Sequence, residues 1–181
     1  MSPMKDECSI LSRFPDVIVS GGQSGADFGA LVGAKAVGIA TGGYAPKGFK
    51  TETGPRPELG SIYGLIESKS TNYNVRTEEN IVFCSAVILV ANNFKSPGSA
   101  LTHKLALSHG KPIFEVPYSI NPKIGSSLSL IEDIRNWLDY HAPSVLMFAG
   151  NRESKARGIE QWTVGLVQKI FERGAAWVKT P

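Results

Sequence analysis

Short, continuous runs of apolar and mostly β-branched residues punctuate the chain. Four of them are Val17–Ser20, Ala86–Ala91 (AVILVA), Pro112–Val116 (PIFEV) and Ser144–Ala149 (SVLMFA), and a weaker one lies near Ile39–Thr41. Each ends at small or turn-forming residues and none alternates with polar positions, the pattern of strands buried on both faces. Helical periodicity fills the intervals. Residues 25–37 are rich in alanine and small apolars, and Thr77–Cys84 predicts a short helix. Ser96 followed by Pro97 reads as an N-cap with proline in the first turn, closed by Gly110. Leu130, Ile131, Ile134, Trp137 and Leu138 form an amphipathic stripe, with Ser129 and Glu132 spaced as a capping box. Ile159, Trp162, Leu166 and Ile170 form the last stripe, with a stop at Gly174. Residues 42–74 are rich in Gly, Pro, Thr and Ser, lack periodicity and read as a functional loop. Strands alternating with helices predict a Rossmann-like, doubly wound α/β fold: a mainly parallel sheet with helices on both faces. One domain is expected over residues 16–175, with an extension over 1–15 and a tail over 176–181.

Composition narrows the function classes. The 181 residues carry a formal charge of +3, with 42% hydrophobic and 19% charged residues, ordinary for a soluble domain. No basic tail or stripe is present, so no nucleic-acid partner is expected. No apolar run approaches the roughly 20 residues of a membrane span, and the polar start Met1–Glu7 does not read as a signal peptide. A cytoplasmic protein without a membrane partner is expected. Cys8 and Cys84 are far apart, and Cys84 reads as a reduced core thiol. His103, His109 and His141 have no ligand spacing with Cys, Asp or Glu, so no protein-ligated metal is expected.

In a doubly wound fold, ligands bind where strand ends feed helix N-termini. The first strand runs into Gly21-Gly22-Gln23-Ser24-Gly25, with Asp27 just beyond. Glycines allow backbone N–H groups to converge on one oxyanion, and the following helix adds its positive dipole end. A tight turn without a ligand accounts for the same residues. Pro97, Gly98, Ser99 and Thr102 form a second candidate phosphate cradle, or a plain helix start. Lys47, in the punctuated loop, is a candidate cation or a solvated side chain. Arg76 and Glu78 lie at a helix start and could orient a ligand, although an acidic residue there also complements the dipole. Arg152, Glu153 and Ser154 directly follow the last strand and complete the candidate set.

The segments IVSGGQSGAD, GGYAPKGF, YNVRTEEN, SPGSALT, HGKP and AGNRESKA, in this order, resemble one family. It is the circularly permuted YpsA-like group of the SLOG superfamily, the molybdenum cofactor carrier proteins, with the Lonely Guy phosphoribohydrolases as relatives. The match spans about residues 16–172. The resemblance implies a Rossmann-like binder of a small phosphorylated, nucleotide- or pterin-like ligand, with the molybdenum cofactor (molybdopterin) as cargo, and a homo-oligomer (dimer or tetramer). It also implies the phosphate against Gly21–Gly25 or Pro97–Thr102, with the pterin toward Lys47, Arg76 or Arg152. The phosphoribohydrolase motif P-G-G-x-G-T-x-x-E departs at its end, where Leu105 replaces the glutamate. That disfavours turnover, although Glu78, Glu79 or Glu153 could stand in. Two alternatives therefore remain open: an N-glycosidase on nucleotide derivatives, and a sensor or sequestering module for a nucleotide signal.

Overall fold

The apolar runs assemble into one parallel sheet. In the computed structural model, which describes residues 14–120 and 127–172, β1 (Val17–Val19), β2 (Ala40–Gly42), β7 (Ala86–Ala91), β8 (Ile113–Pro117) and β9 (Val145–Gly150) are ordered β2-β1-β9-β7-β8. Every neighbouring pair is parallel. All six residues of β7 are buried, which explains its unbroken apolar run. Ile88 and Val90 point to one face and Val87 and Leu89 to the other.

Helices α1 (Ala26–Ala36), α5 (Leu128–His141) and α6 (Ile159–Ile170) cover the first face, where Ala30, Ile134, Leu138, Leu166 and Ile170 meet Ile18, Leu146 and Phe148. Helices α3 (Tyr73–Phe83) and α4 (Pro97–Ser108) cover the second, with Ile81 and Ala106 against Val19 and Met147. Cys84 belongs to this second core, and burial pushes its thiol up to about 11. The connection from β1 leads out to β2 and that from β7 leads out to β8, while β9 returns between them. The crevice at the strand carboxyl ends therefore opens beside β9.

Several boundaries depart from the sequence expectation. Helix α3 starts four residues before Thr77, because the Asn72 side chain caps it by accepting from Asn74 N–H at 2.9 Å. The N-cap of α5 is Ser127, which accepts from Leu130 N–H at 3.3 Å, so Ser129 and Glu132 form no capping box. Residues 42–74 are ordered rather than irregular. They hold a parallel pair, β3 (Tyr44–Ala45) with β6 (Ile66–Glu67), a hairpin of β4 (Lys50–Thr51) and β5 (Gly54–Pro55), and helix α2 (Glu58–Ser61). Ala45, Leu59 and Leu65 bury against Leu31 of α1 as a small separate core. Cys8, the stop at Gly174 and the tail lie outside the described residues.

Small residues on α1 set how closely it approaches α6. A Cβ at Gly29 would overlap the carbonyl oxygen of Glu160, and one at Gly33 would lie 2.8 Å from Val167 Cβ. Gly29→Leu is expected to push the two helices apart and destabilise the fold by about 1–3 kcal/mol in urea unfolding, with the slope of the transition unchanged.

Candidate functional site

Three loops meet at the sheet's carboxyl edge, and Asn151 ties them together. Its carbonyl accepts from Ala26 N–H at 3.1 Å, and its side-chain oxygen accepts from Asn92 N–H at 2.9 Å. Its amide nitrogen donates to Ser96 Oγ at 3.2 Å and Ser99 Oγ at 3.3 Å. One buried residue, through its backbone carbonyl and its side chain, thus fixes the starts of α1 and α4 relative to β9.

The glycine loop after β1 is closed from within. Gly22 N–H donates to Ser20 Oγ at 3.2 Å, Ser24 N–H to Gln23 Oε1 at 3.1 Å, and Gly25 N–H to the Glu160 carboxylate at 3.0 Å. The N–H groups of Gln23 and Gly150 point at the Asp27 carboxylate. Asp27 also pairs with Arg76 Nη1 at 3.3 Å, and both side chains are buried. Burial raises the Asp27 carboxyl above its usual range, more than Arg76 and the two N–H groups lower it. Gly21 serves this pair directly: a Cβ there would overlap the Arg76 guanidinium, so the glycine makes the seat on which Arg76 lies. Gly22, at φ +68, faces Leu59 and Leu65 and has no room for a larger residue.

Glu52, at the tip of the hairpin, clasps the glycine loop to the loop after β9. Its carboxylate accepts from the Ser24 hydroxyl, from Ser154 Oγ at 2.5 Å and from Ser154 N–H at 3.3 Å. Its own N–H donates to Gln23 Oε1 at 2.8 Å. Partial desolvation opposes its charge, but the bonds from Ser154 and Ser24 outweigh it and lower the carboxyl below the ordinary 4.5. Glu153 instead caps α6, accepting from Gly158 N–H at 2.5 Å and Glu160 N–H at 3.0 Å.

The start of α4 is arranged differently. Ser96 sits at the N-cap but makes no side-chain cap; its hydroxyl donates to Ser99 Oγ at 3.0 Å. Pro97 has no N–H, and a Cβ built on Gly98 would meet nothing within 4 Å. This helix end opens onto two adjoining chambers that share Pro97, Gly98, Gly150 and Arg152. One, of about 470 Å³, has Gln23, Asp27, Arg76, Thr77, Leu101 and Thr102 on its walls. The other, of about 610 Å³, is lined by Asn92, Asn93, Ser96, Ser99, Asn151 and Lys155. Arg152 lies over the Tyr73 ring at 4.7 Å, at the edge of the first chamber. Two buried donors here, Gln23 Nε2 and Arg76 Nε, have no hydrogen-bond partner.

The crevice therefore gathers Gln23, Asp27, Arg76, Pro97, Gly98, Ser99, Thr102 and Arg152. It does not gather all the candidates. Gly21, Gly22, Ser24 and Gly25 line neither chamber, Ser154 is held by Glu52, and Lys47 is exposed on the turn Lys47–Phe49. Glu78 lies in a separate groove with Val75, Val82 and Phe83, 3.4 Å from His109 Nε2. Residues that the sequence did not single out include Asn151, which its place directly after a strand could have flagged. Glu52, in a segment without periodicity, carried no such signal. Among the described residues no group of His, Cys, Asp and Glu could hold a metal ion, and no helix is long and apolar enough to cross a membrane.

Comparison with known proteins adds to this geometry. The model of the circularly permutated YpsA SLOG family matches residues 18–171. No curated relative matches the chain. A crystal structure from Syntrophus aciditrophicus SB, of a protein described as a proposed molybdenum carrier, superposes with a TM-score of 0.77 at 32% identity. The match covers 88% of this chain and 96% of that one.

Two predictions follow from the internal anions. Asp27→Ala leaves Arg76 buried without its counter-charge and is expected to cost about 3–5 kcal/mol in denaturant unfolding. The Glu52 clasp rests on the ionised carboxylate, so its contribution is present above the ordinary 4.5 and is lost as pH falls through its lowered value. In NMR the amide shift of Ser154 should titrate below pH 4.5, and this titration should vanish in Glu52→Gln.

Proposed function

The chain belongs to the circularly permutated YpsA SLOG family, and on that premise we propose that it is a binding protein for a small phosphorylated, pterin- or nucleotide-like ligand, with the molybdenum cofactor as cargo. The observation that carries this reading is the uncapped start of α4, open to a crevice whose wall holds two buried, unpartnered donors. A helix N-terminus with free N–H groups and a positive dipole end favours an anion, and Arg152 and Lys155 stand beside it. The ligand's phosphate is assigned to Gly98 and Ser99, with Thr102 shaping the first turn through its bond to the Gly98 carbonyl at 3.0 Å. The ring system is assigned to the chamber of Gln23, Arg76 and Leu101.

Those donors suit a pterin bearing oxygen and nitrogen acceptors. The protein need provide no metal ligand, because the pterin dithiolene holds the molybdenum. The structure of the proposed molybdenum carrier from Syntrophus supports the same cargo by likeness.

The carboxylates of the site support binding over turnover. Leu105, where the related phosphoribohydrolase motif has glutamate, packs beside the apolar cluster of Ile81, Val87 and Leu89 and cannot exchange a proton. Glu153 is occupied as a helix cap, Glu78 and Glu79 line another groove, and Asp27 is engaged by Gln23, Gly150 and Arg76.

Gly98→Asp tests the proposal. Its new side chain projects into open space and should leave the melting temperature unchanged, while its charge repels the phosphate. Affinity for isolated molybdenum cofactor is expected to fall at least about tenfold, as expected when a charge-assisted contact is replaced by repulsion. Unchanged affinity in a folded variant overturns the assignment. Native mass spectrometry of the purified protein distinguishes carriage of this cofactor from the sensing of a nucleotide.

A further inference from the structure

Gln23 is 4% exposed, and its carboxamide orientation is determined by its neighbours. Ser24 N–H and Glu52 N–H both donate to one end, at 3.1 and 2.8 Å. A backbone N–H can only donate, so the atom between them is the oxygen and the other end is the NH2 group. Turning the amide over would set two N–H groups against a third donor. The two donors are themselves fixed: Ser24 closes the glycine loop, and Glu52 is clasped to Ser24 and Ser154 through its carboxylate. Gln23, a residue of the chamber wall, therefore holds its Nε2 as an oriented donor, buried and without a partner. An unpaired buried donor is an energetic cost that a ligand relieves only by bringing an acceptor. Arg76, on the same wall, has its Nε in the same condition.

We propose that Gln23 is the specificity-determining residue of this crevice, donating its carboxamide N–H to a ring carbonyl so that lactam heterocycles such as pterin or guanine are selected over amino heterocycles such as adenine. The inference rests on the ligand-binding reading above and adds the chemistry of the ring. Guanine displays its carbonyl O6 beside the N7 acceptor on one edge, whereas adenine sets an amino group beside the same N7. An exocyclic amino group in the carbonyl's place would set donor against donor and leave Gln23 unpaired. Glu52 acts through Gln23 as a positioning residue, since its N–H helps to hold the oxygen end.

GMP and AMP provide the probes, because they carry the same ribose phosphate and differ in the group facing Gln23. Calorimetric titration of the full chain should give at least about tenfold tighter binding of GMP, the worth of one such hydrogen bond together with the unpaired donor. Gln23→Glu keeps an oxygen for the Ser24 and Glu52 N–H groups and replaces the donor with an acceptor. The ratio of the two affinities should then fall to about one or invert in favour of AMP. A wild-type ratio near one, or a ratio unchanged in Gln23→Glu, overturns the inference while leaving the phosphate assignment standing. Binding of inorganic phosphate but of neither nucleotide also overturns it. If neither phosphate nor either nucleotide binds the wild type, the binding reading itself fails and this inference falls with it.

Discussion

Backbone N–H groups at the rim of a parallel sheet have no ladder partner and must find acceptors elsewhere. Here side-chain carboxylates supply several of them. Asp27 takes the N–H groups of Gln23 and Gly150, Glu160 takes that of Gly25, and Glu52 takes that of Ser154, while Glu153 closes α6. The starts of α1 and α6 are thus neutralised by the protein's own anions. At α4 the N-cap serine turns to Ser99 and leaves the helix end open. The location of the candidate site is set by where such an internal acceptor is not provided, more than by where the glycines lie.

This constraint explains what the sequence made legible. The parallel sheet was readable because its strands are buried on both faces, so AVILVA and SVLMFA appear as unbroken apolar runs. The start of α4 was readable from Ser96-Pro97, and Leu105 from motif spacing. The glycine loop after β1 looked like the stronger cradle because glycine marks close approach without saying what approaches. At Gly21 that is the Arg76 guanidinium, 55 residues along the chain, and at Gly25 it is the backbone of Asn151–Glu153. Side-chain acceptors such as Glu160 and Glu52 are brought to the loop by tertiary packing, which has no local signature. The same reason hid the hairpin: β4 and β5 are two residues each, too short for an alternating pattern to show.

The Asp27–Arg76 pair gives the crevice its floor. A buried pair of this kind contributes little net stability, since desolvation offsets most of the attraction. Its effect is positional. Asp27 binds the N–H groups of Gln23 and Gly150 and one guanidinium at once, which joins the loop after β1, the end of β9 and helix α3. Asn80 strengthens the last of these links, donating to the carbonyls of Arg76 and Tyr44 at 3.0 and 2.9 Å. Arg76 is held on Gly21 whether or not a ligand is near, so no side-chain ordering remains to be done on its account when one binds.

Charge then separates the two chambers. In the first, Arg76 faces the carboxylate of Asp27, its unpartnered buried donors suit neutral acceptors, and the shared Arg152 stands at its edge. The second is lined by Arg152 and Lys155 with no acidic residue among its described walls, next to the uncapped helix. An anion placed at the Asp27 end would meet a carboxylate, whereas at the α4 end it meets cations and a dipole of the right sign. A ligand with a phosphate at one end and a neutral, acceptor-bearing ring at the other satisfies both chambers in one orientation. Reversed, it would leave Gln23 unpaired and bring its phosphate against Asp27, so under the proposed binding the crevice would discriminate the polarity of a ligand as well as its charge.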